Sequence, residues 1–222
     1  MLFRSGAAWG QTTSRIPAET NNWLQVTGTA VNGDPDRFMV AFFEVPDTIS
    51  EPIYFAVNHP GNTGAAPDTG GTGTWNFHLV GGVGTVTDPV SRQLRYTGGA
   101  PADLNAARTG TLIQTRGFTN ETGWYYFNAV MPNQGEKIGN RYYFKIVAEA
   151  PVANGGKNAF QLDVGFSGID GTIPAGSSVI RAFAYAWTLN LRQTAGATWD
   201  LFPFVTNRSE ERRVGKECRS RW

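Results

Sequence analysis

One stretch of the chain, DRFMVAFFEVP at Asp36–Pro46, is apolar on both faces when it is written as a β-strand. Side chains in a strand alternate between two faces. One face would carry Phe38, Val40 and Phe42, and the other would carry Met39, Ala41 and Phe43. Because neither face is polar, we expect a central strand that is covered on both sides.

Seven further stretches show the alternation, or the aromatic and β-branched residues, that are typical of strands. In chain order they are EPIYFAVNHP, TWNFHLVGG, GTLIQTRGF, GWYYFNAVMP, NRYYFKIVAEAP, NAFQLDVGFS and SSVIRAFAYAWTLNL. Asn154–Gly156 separates two of them and predicts a hairpin turn. Only PADLNAARTG has a helix-like composition, and it is long enough only for a single turn or a loop.

These patterns predict an all-β fold. With many strands and no long helix, an antiparallel β-sandwich is the natural way to bury the apolar faces. We expect a jelly-roll-like sandwich of eight or more strands over Trp23–Leu191, with Phe38–Val45 and Tyr142–Ala148 among its most buried segments.

The two ends of the chain differ from the rest. Arg208–Trp222 holds six of the nineteen basic residues and the only cysteine. One set of codons for it resembles, codon for codon, an adapter used in high-throughput DNA sequencing, and codons for Met1–Ser5 look like the end of the partner adapter. A basic arm for nucleic acid and a solvated terminus are the alternatives. The match at both ends favours adapter-derived sequence, so we expect Gly6–Asn207 to be a fragment of a longer reading frame.

Composition limits the function of Gly6–Asn207. It has 12 Lys and Arg residues against 15 Asp and Glu residues, which leaves a net charge of −3. The basic footprint of a nucleic-acid-binding protein is therefore missing. Without a cysteine, this stretch has no disulfide framework, thiol nucleophile or cysteine-ligated zinc. No apolar run approaches the ~20 residues of a membrane-spanning helix.

Two flanking segments bear on location. GAAWGQTT, within Gly6–Asn22, looks like the end of a signal peptide with its cleavage region; an ordinary loop is the other interpretation. Residues 192–207, RQTAGATWDLFPFVTN, look like a linker or the start of a truncated second unit. We expect a secreted or cell-envelope protein.

The sequence gives little support for catalysis. His59 and His78 are the only histidines, and no G-x-S-x-G is present, so we expect surface or rim histidines. Their separation does not have the i, i+4 spacing of a zinc site. Four carboxylates at strand ends or turns could suit a glycosidase pair, namely Glu44, Glu51, Glu136 and Glu149. The aromatic residues follow strand periodicity and indicate core packing rather than sugar stacking. We therefore expect no catalytic residues.

Acidic turns are the remaining candidate site. Asp34 and Asp36 lie in NGDPDR, and Asp68 lies in APDTGGTG. Loops of this kind can supply the oxygen ligands that calcium needs, which predicts a structural calcium ion at these three residues. The other interpretation is that Asp and Gly serve only as turn residues. GGVG at residues 81–84 lacks a following Lys and a helical pattern, so we expect no phosphate cradle there.

The stretch GDPDRFMVAFFEVPDTISEPIYFAV resembles the opening of the pre-peptidase C-terminal type of bacterial secreted β-sandwich. In that family an acidic turn leads into a strand ending in Val-Pro, and a second strand follows. RYYFKIVAEAPVANGGKNAFQLDV is similar to the closing hairpin of the family. The order of PDTGG, GTLIQTRGF, WYYF and YYFKIVAEA looks more like an uncharacterised class of long bacterial envelope proteins. NHPGNTGAAPDTGG departs from the fuller acidic turn of the family at Asp68.

The resemblance implies a secreted, jelly-roll-like module with no catalytic role. We therefore expect a non-catalytic accessory or adhesive module of an exported bacterial multidomain protein. Its partners would be a surface ligand or neighbouring domains of the same chain. A polysaccharide-acting hydrolase or a carbohydrate-binding domain is the alternative.

Overall fold

The computed structural model describes residues 14–16, 23–27, 38–60, 75–88, 91, 109–119, 121–150, 157–175 and 179–183. These residues form ten strands: β1 Leu24–Thr27, β2 Phe38–Pro46, β3 Tyr54–His59, β4 Trp75–Gly81, β5 Thr111–Phe118, β6 Gly123–Tyr126, β7 Glu136–Ile138, β8 Arg141–Glu149, β9 Lys157–Gly165 and β10 Arg181–Phe183. No α-helix occurs in this part of the chain, and nothing in it is a helix long and apolar enough to cross a membrane.

The strands form two sheets. The smaller sheet has the order β1-β9-β3-β6, and the larger has the order β10-β2-β8-β4-β5, with β7 also paired to β8. Neighbouring strands are antiparallel throughout both sheets. The predicted all-β, antiparallel architecture is confirmed, while the jelly-roll connectivity stays a prediction.

Aromatic rings on the inner faces of the two sheets contact one another. Phe55 of β3 lies 5.1 Å from Phe43 and 5.2 Å from Phe144, both of the larger sheet, between ring centroids. Phe160 of β9 meets Phe77 of β4 edge to face at 5.1 Å. Such tilted contacts are the favoured geometry of aromatic pairs. The inner faces therefore share one core, which makes the fold a sandwich.

The central, doubly covered strand is confirmed. In β2, Met39–Phe43 are all buried, and the strand lies between β10 and β8. Its outer face packs Val40 and Phe42 into a second cluster. In β8, Phe144–Ala148 are buried but Tyr142 and Tyr143 are only half-buried, because they lie at the start of the strand opposite the short strand β7.

The predicted hairpin at Asn154–Gly156 is wrong. β8 lies in the larger sheet and β9 in the smaller, so the connection passes from one layer to the other. β8 already pairs with β2 on one side and β4 on the other, which leaves no free edge for β9. The turn residues Asn154–Gly156 lie outside the described residues. So do residues 101–108, which make up most of PADLNAARTG.

Two strands were not predicted. β1 and β7 have four and three residues, which is too short for an alternating pattern to stand out. One predicted strand extends beyond what is observed, because GWYYFNAVMP forms a strand only over Gly123–Tyr126. Within SSVIRAFAYAWTLNL the described strand is Arg181–Phe183, and the residues after Phe183 lie outside the described part of the chain.

Candidate functional site

The three predicted calcium ligands, Asp34, Asp36 and Asp68, lie outside the described residues, so the calcium site stays a prediction. Within the described ranges, no group of three or more His, Cys, Asp and Glu side chains could hold a metal ion. The polar side chains that the structure does bring together lie mainly on the outer faces of the two sheets.

On the larger sheet, the Gly-rich segment 82–88 folds around the carboxylate of Glu136. The backbone N–H of Gly84 donates to Oε1 at 3.0 Å, and those of Val86 and Thr87 donate to Oε2 at 2.5 and 3.1 Å. The Thr87 hydroxyl donates to Oε1 as well. Gly84 adopts a φ of 92°, which favours glycine. The segment is an anion-binding loop whose anion is the protein's own side chain.

Lys145 is linked to the same segment through Ser91. Its ammonium group is fully buried and donates to Ser91 Oγ at 2.6 Å. The Ser91 hydroxyl donates in turn to the Thr85 carbonyl oxygen. An activated serine would direct its proton toward the amine. Here the proton points to a carbonyl and the ammonium is the donor, so the pair anchors the loop rather than forming a nucleophile.

The two buried charges respond to pH in different ranges. Burial lowers the pKa of Lys145 to about 8, although the carboxylates of Asp88 and Glu136 favour its charged form. For Glu136, burial by itself raises the pKa. The hydrogen bonds from Thr87 and the loop backbone outweigh that effect, so its pKa lies below the ordinary value of 4.5.

Glu136 should make the fold sensitive to acid. Because its folded-state pKa is lowered, its contribution is fully present above pH 4.5, the ordinary value, and is lost as the pH falls through the folded-state pKa. We expect Glu136→Gln to be less stable at neutral pH by ~1–3 kcal/mol. Its unfolding free energy should also fall less between neutral pH and acid than that of the wild type. Urea unfolding at a series of pH values measures both effects.

Glu51→Gln is the matched control for this measurement, because Glu51 is exposed. Its stability curve should follow that of the wild type at every pH. Parallel curves for wild type and Glu136→Gln would contradict the assignment.

A second polar group on the larger sheet joins three strands. His78 of β4 has Nδ1 at 2.8 Å from the hydroxyl oxygen of Thr115 on β5. Its Nε2 lies 2.9 Å from Oε2 of Glu149 on β8. The imidazole and the carboxylate are mostly buried, whereas Thr115 is exposed. A carboxylate, an imidazole and a hydroxyl therefore form one hydrogen-bonded row that ends at the surface.

The expectation of surface or rim histidines is wrong for both residues. His59 is fully buried, with its ring centroid 4.4 Å from Trp75, and its Nδ1 is hydrogen-bonded to the Glu121 carbonyl oxygen. His78 is buried as well. Each ring has a polar partner that is distant in the sequence, and such partners are not visible in local spacing.

The four predicted carboxylates have different surroundings. Glu44 pairs with Arg141 at 2.9 Å, and Glu51 is exposed. Glu136 binds the Gly-rich segment, and Glu149 binds His78. The structure thus gives Glu44, Glu136 and Glu149 separate partners.

On the smaller sheet, a single buried carboxylate attaches residues 14–16 to the edge of β9. Asp163 is 1% exposed and accepts a hydrogen bond from the Ser14 hydroxyl at 2.7 Å. Nε and Nη2 of Arg15 both donate to its other oxygen, at 2.9 and 2.8 Å. Ile16 pairs with the backbone of β9 and enters the core. Sequence reasoning missed this group, because the partners are almost 150 residues apart.

The loop 167–175 lies against the outer face of the smaller sheet, beside Tyr126. The carboxylate of Asp170 accepts the Tyr126 N–H at 2.7 Å and the Arg116 guanidinium at 2.9 Å. Gly168 lies on the Tyr126 ring, since a Cβ there would come within 1.9 Å of it. Arg116 belongs to β5, so this contact also joins the larger sheet to the smaller.

No family model matches the chain, and no curated protein matches it.

Proposed function

We propose that this chain is a non-catalytic accessory or adhesive module of an exported bacterial multidomain protein, and that it binds protein surfaces through the loop 167–175. The supporting observation is that this loop exposes two large apolar side chains, Ile169 (75% exposed) and Ile173 (68%). Exposed apolar groups that lie close together are typical of interaction sites.

The loop is also tied to the sheets by hydrogen bonds. Besides the Asp170 contacts, the Gly171 N–H donates to the Trp124 carbonyl oxygen at 2.6 Å. The Thr172 N–H closes a turn to the carbonyl oxygen of Ile169 at 3.0 Å. A surface that is already ordered loses less conformational entropy when a partner binds. Binding through the two isoleucines therefore requires little further ordering of the loop.

Export is supported by sequence features alone. The stretch Gly33–Val57 resembles the opening of a bacterial secreted β-sandwich, and Gly6–Thr13 looks like the end of a signal peptide. A calcium ion at Asp34, Asp36 and Asp68 would be a structural addition to such a module.

The proposal predicts adhesion without turnover. Beads coated with the chain should be retained on immobilised protein-containing fragments of bacterial cell envelope. The double substitution Ile169→Ser with Ile173→Ser should lower retention by about tenfold or more, which corresponds to ~1.4 kcal/mol. The same protein, incubated with bacterial and plant polysaccharides, should release no new reducing ends.

The matched control changes two exposed apolar residues elsewhere, Val83→Ser with Leu112→Ser, and should leave retention unchanged. Equal losses in both double variants would refute the loop as the adhesive surface. Reducing ends that increase with protein concentration would establish the hydrolase alternative instead.

A further inference from the structure

The row formed by Thr115, His78 and Glu149 has the parts of an activated nucleophile. We propose that Thr115 accepts an acyl group from an activated ester, with His78 as its general base and Glu149 as the residue that positions the imidazole. This reactivity goes beyond the adhesive function, because it modifies the module itself and needs no turnover.

The direction of the hydrogen bonds suits this role. A carboxylate can only accept, so with Glu149 ionised the proton of His78 lies on Nε2 and is donated to Glu149. Nδ1 of the neutral ring is then an acceptor, and the Thr115 hydroxyl donates to it at 2.8 Å. This is the order of roles in hydroxyl nucleophiles that are activated by an imidazole and a carboxylate. It is the reverse of the Ser91 arrangement, in which the hydroxyl accepts from an ammonium group.

The surroundings of Thr115 leave room for an acyl group. Two positions along β5, on the same outer face, Gly117 has no side chain and is exposed. Its cross-strand partner is Asn76 of β4, just as His78 is the partner of Thr115. Asn76 therefore lies on the outer face next to the row, diagonal to Thr115.

The side chain of Asn76 can complete the site. It is half-buried, and its amide forms no hydrogen bond with another residue of the described part of the chain. A side-chain amide beside a nucleophile can donate to the oxygen that becomes negative when a carbonyl is attacked. Asn76 is the candidate for that donor. Thr115 and Gly117 are both exposed, so a small acyl group such as acetyl can reach the Thr115 hydroxyl.

The reaction balances with these groups alone. Thr115 Oγ forms a bond to the acyl carbon, and the hydroxyl proton moves to Nδ1 of His78. The bond between the acyl carbon and the leaving oxygen then breaks, and the leaving alcohol takes the proton from His78. The products are an ester of Thr115 and the free alcohol.

The test uses the full chain and p-nitrophenyl acetate as the acyl donor. Wild-type protein should release nitrophenol in a burst that matches the protein concentration. Its intact mass should increase by one acetyl group, and peptide mapping should locate that group on Thr115. His78→Gln should lower the acylation rate by about a hundredfold or more, the usual contribution of a general base.

Thr115→Val keeps the β-branched shape of the side chain and should abolish the burst. Thr111→Val is the matched control, since Thr111 is an exposed threonine on the same strand, and its burst should equal that of the wild type. Thermal unfolding establishes that each variant is folded. Should His78→Gln fail to fold, the acetyl group mapped to Thr115 in the wild type and the loss of the burst in Thr115→Val still decide the assignment of the nucleophile.

A burst that persists in Thr115→Val, or an acetyl group found on lysine alone, would overturn the assignment. Continued nitrophenol release after the burst, lost in Thr115→Val, would leave Thr115 as the nucleophile. That result would refute only the non-catalytic function proposed above.

Discussion

Replacing Asp163 by alanine is expected to lower the free energy of unfolding by about 3–5 kcal/mol, the usual cost of removing one partner from a buried ion pair. The substitution leaves the Arg15 guanidinium and the Ser14 hydroxyl without their shared acceptor. Residues 14–16 should then separate from β9 and expose Ile16, which is part of the core. Urea unfolding measures the loss, and hydrogen exchange should locate it at the edge of β9.

Asp47→Ala is the control for Asp163→Ala. Asp47 also forms an ion pair, with Lys137 at 3.4 Å, but both side chains are accessible to water. An exposed pair contributes ~1 kcal/mol or less. Comparable losses in the two variants would mean that burial does not determine the contribution of Asp163.

Replacing Phe160 by alanine is also expected to cost about 3–5 kcal/mol, as for other large aromatic residues in a core. The Phe160 ring belongs to the smaller sheet and contacts Phe77 and Trp75 of the larger sheet, at 5.1 and 6.3 Å. Its removal leaves a cavity between the layers, which the surrounding strands can close only in part. Equilibrium unfolding in urea, followed by tryptophan fluorescence, measures the change.

Leu112→Ala is the comparison for Phe160→Ala. Leu112 is also on a strand, β5, but is 54% exposed. Its truncation should change stability by no more than about 0.5 kcal/mol. If Phe160→Ala were equally mild, the two sheets would not depend on this ring contact.

Much of the fold can be predicted from local alternation. In β2 the pattern correctly predicted that Met39, Ala41 and Phe43 share one buried face and that Val40 and Phe42 share another. It could do so because the direction of a side chain in a strand depends only on its position along that strand. Two apolar faces also imply a central strand, since an edge or a one-sided sheet would expose one of them to water.

Strand pairing could not be predicted in the same way. Asn154–Gly156 has the composition of a hairpin turn, yet β8 and β9 lie in different sheets. Turn residues allow a reversal of the chain but do not select the neighbour of the strand that follows. That choice depends on which edges β2 and β4 have already taken.

The candidate sites depended even more on tertiary structure. The sequence shows that His78 and Glu149 are hydrogen-bonding groups near or within strands, but 71 residues separate them, and Thr115 lies 37 residues from His78. In the Gly-rich segment, local spacing revealed the glycines but not the anion, which Glu136 supplies from about fifty residues away.

The sequence by itself therefore determined the positions of the longer strands and the face on which most of their side chains lie, since both follow from local backbone geometry. Only the tertiary structure decided which polar groups meet. The strand register and the packing of the layers bring Thr115, His78 and Glu149 together. Register and packing in turn depend on burying the apolar faces of all the strands at once. That is a property of the whole sandwich, and no short stretch of the chain contains it.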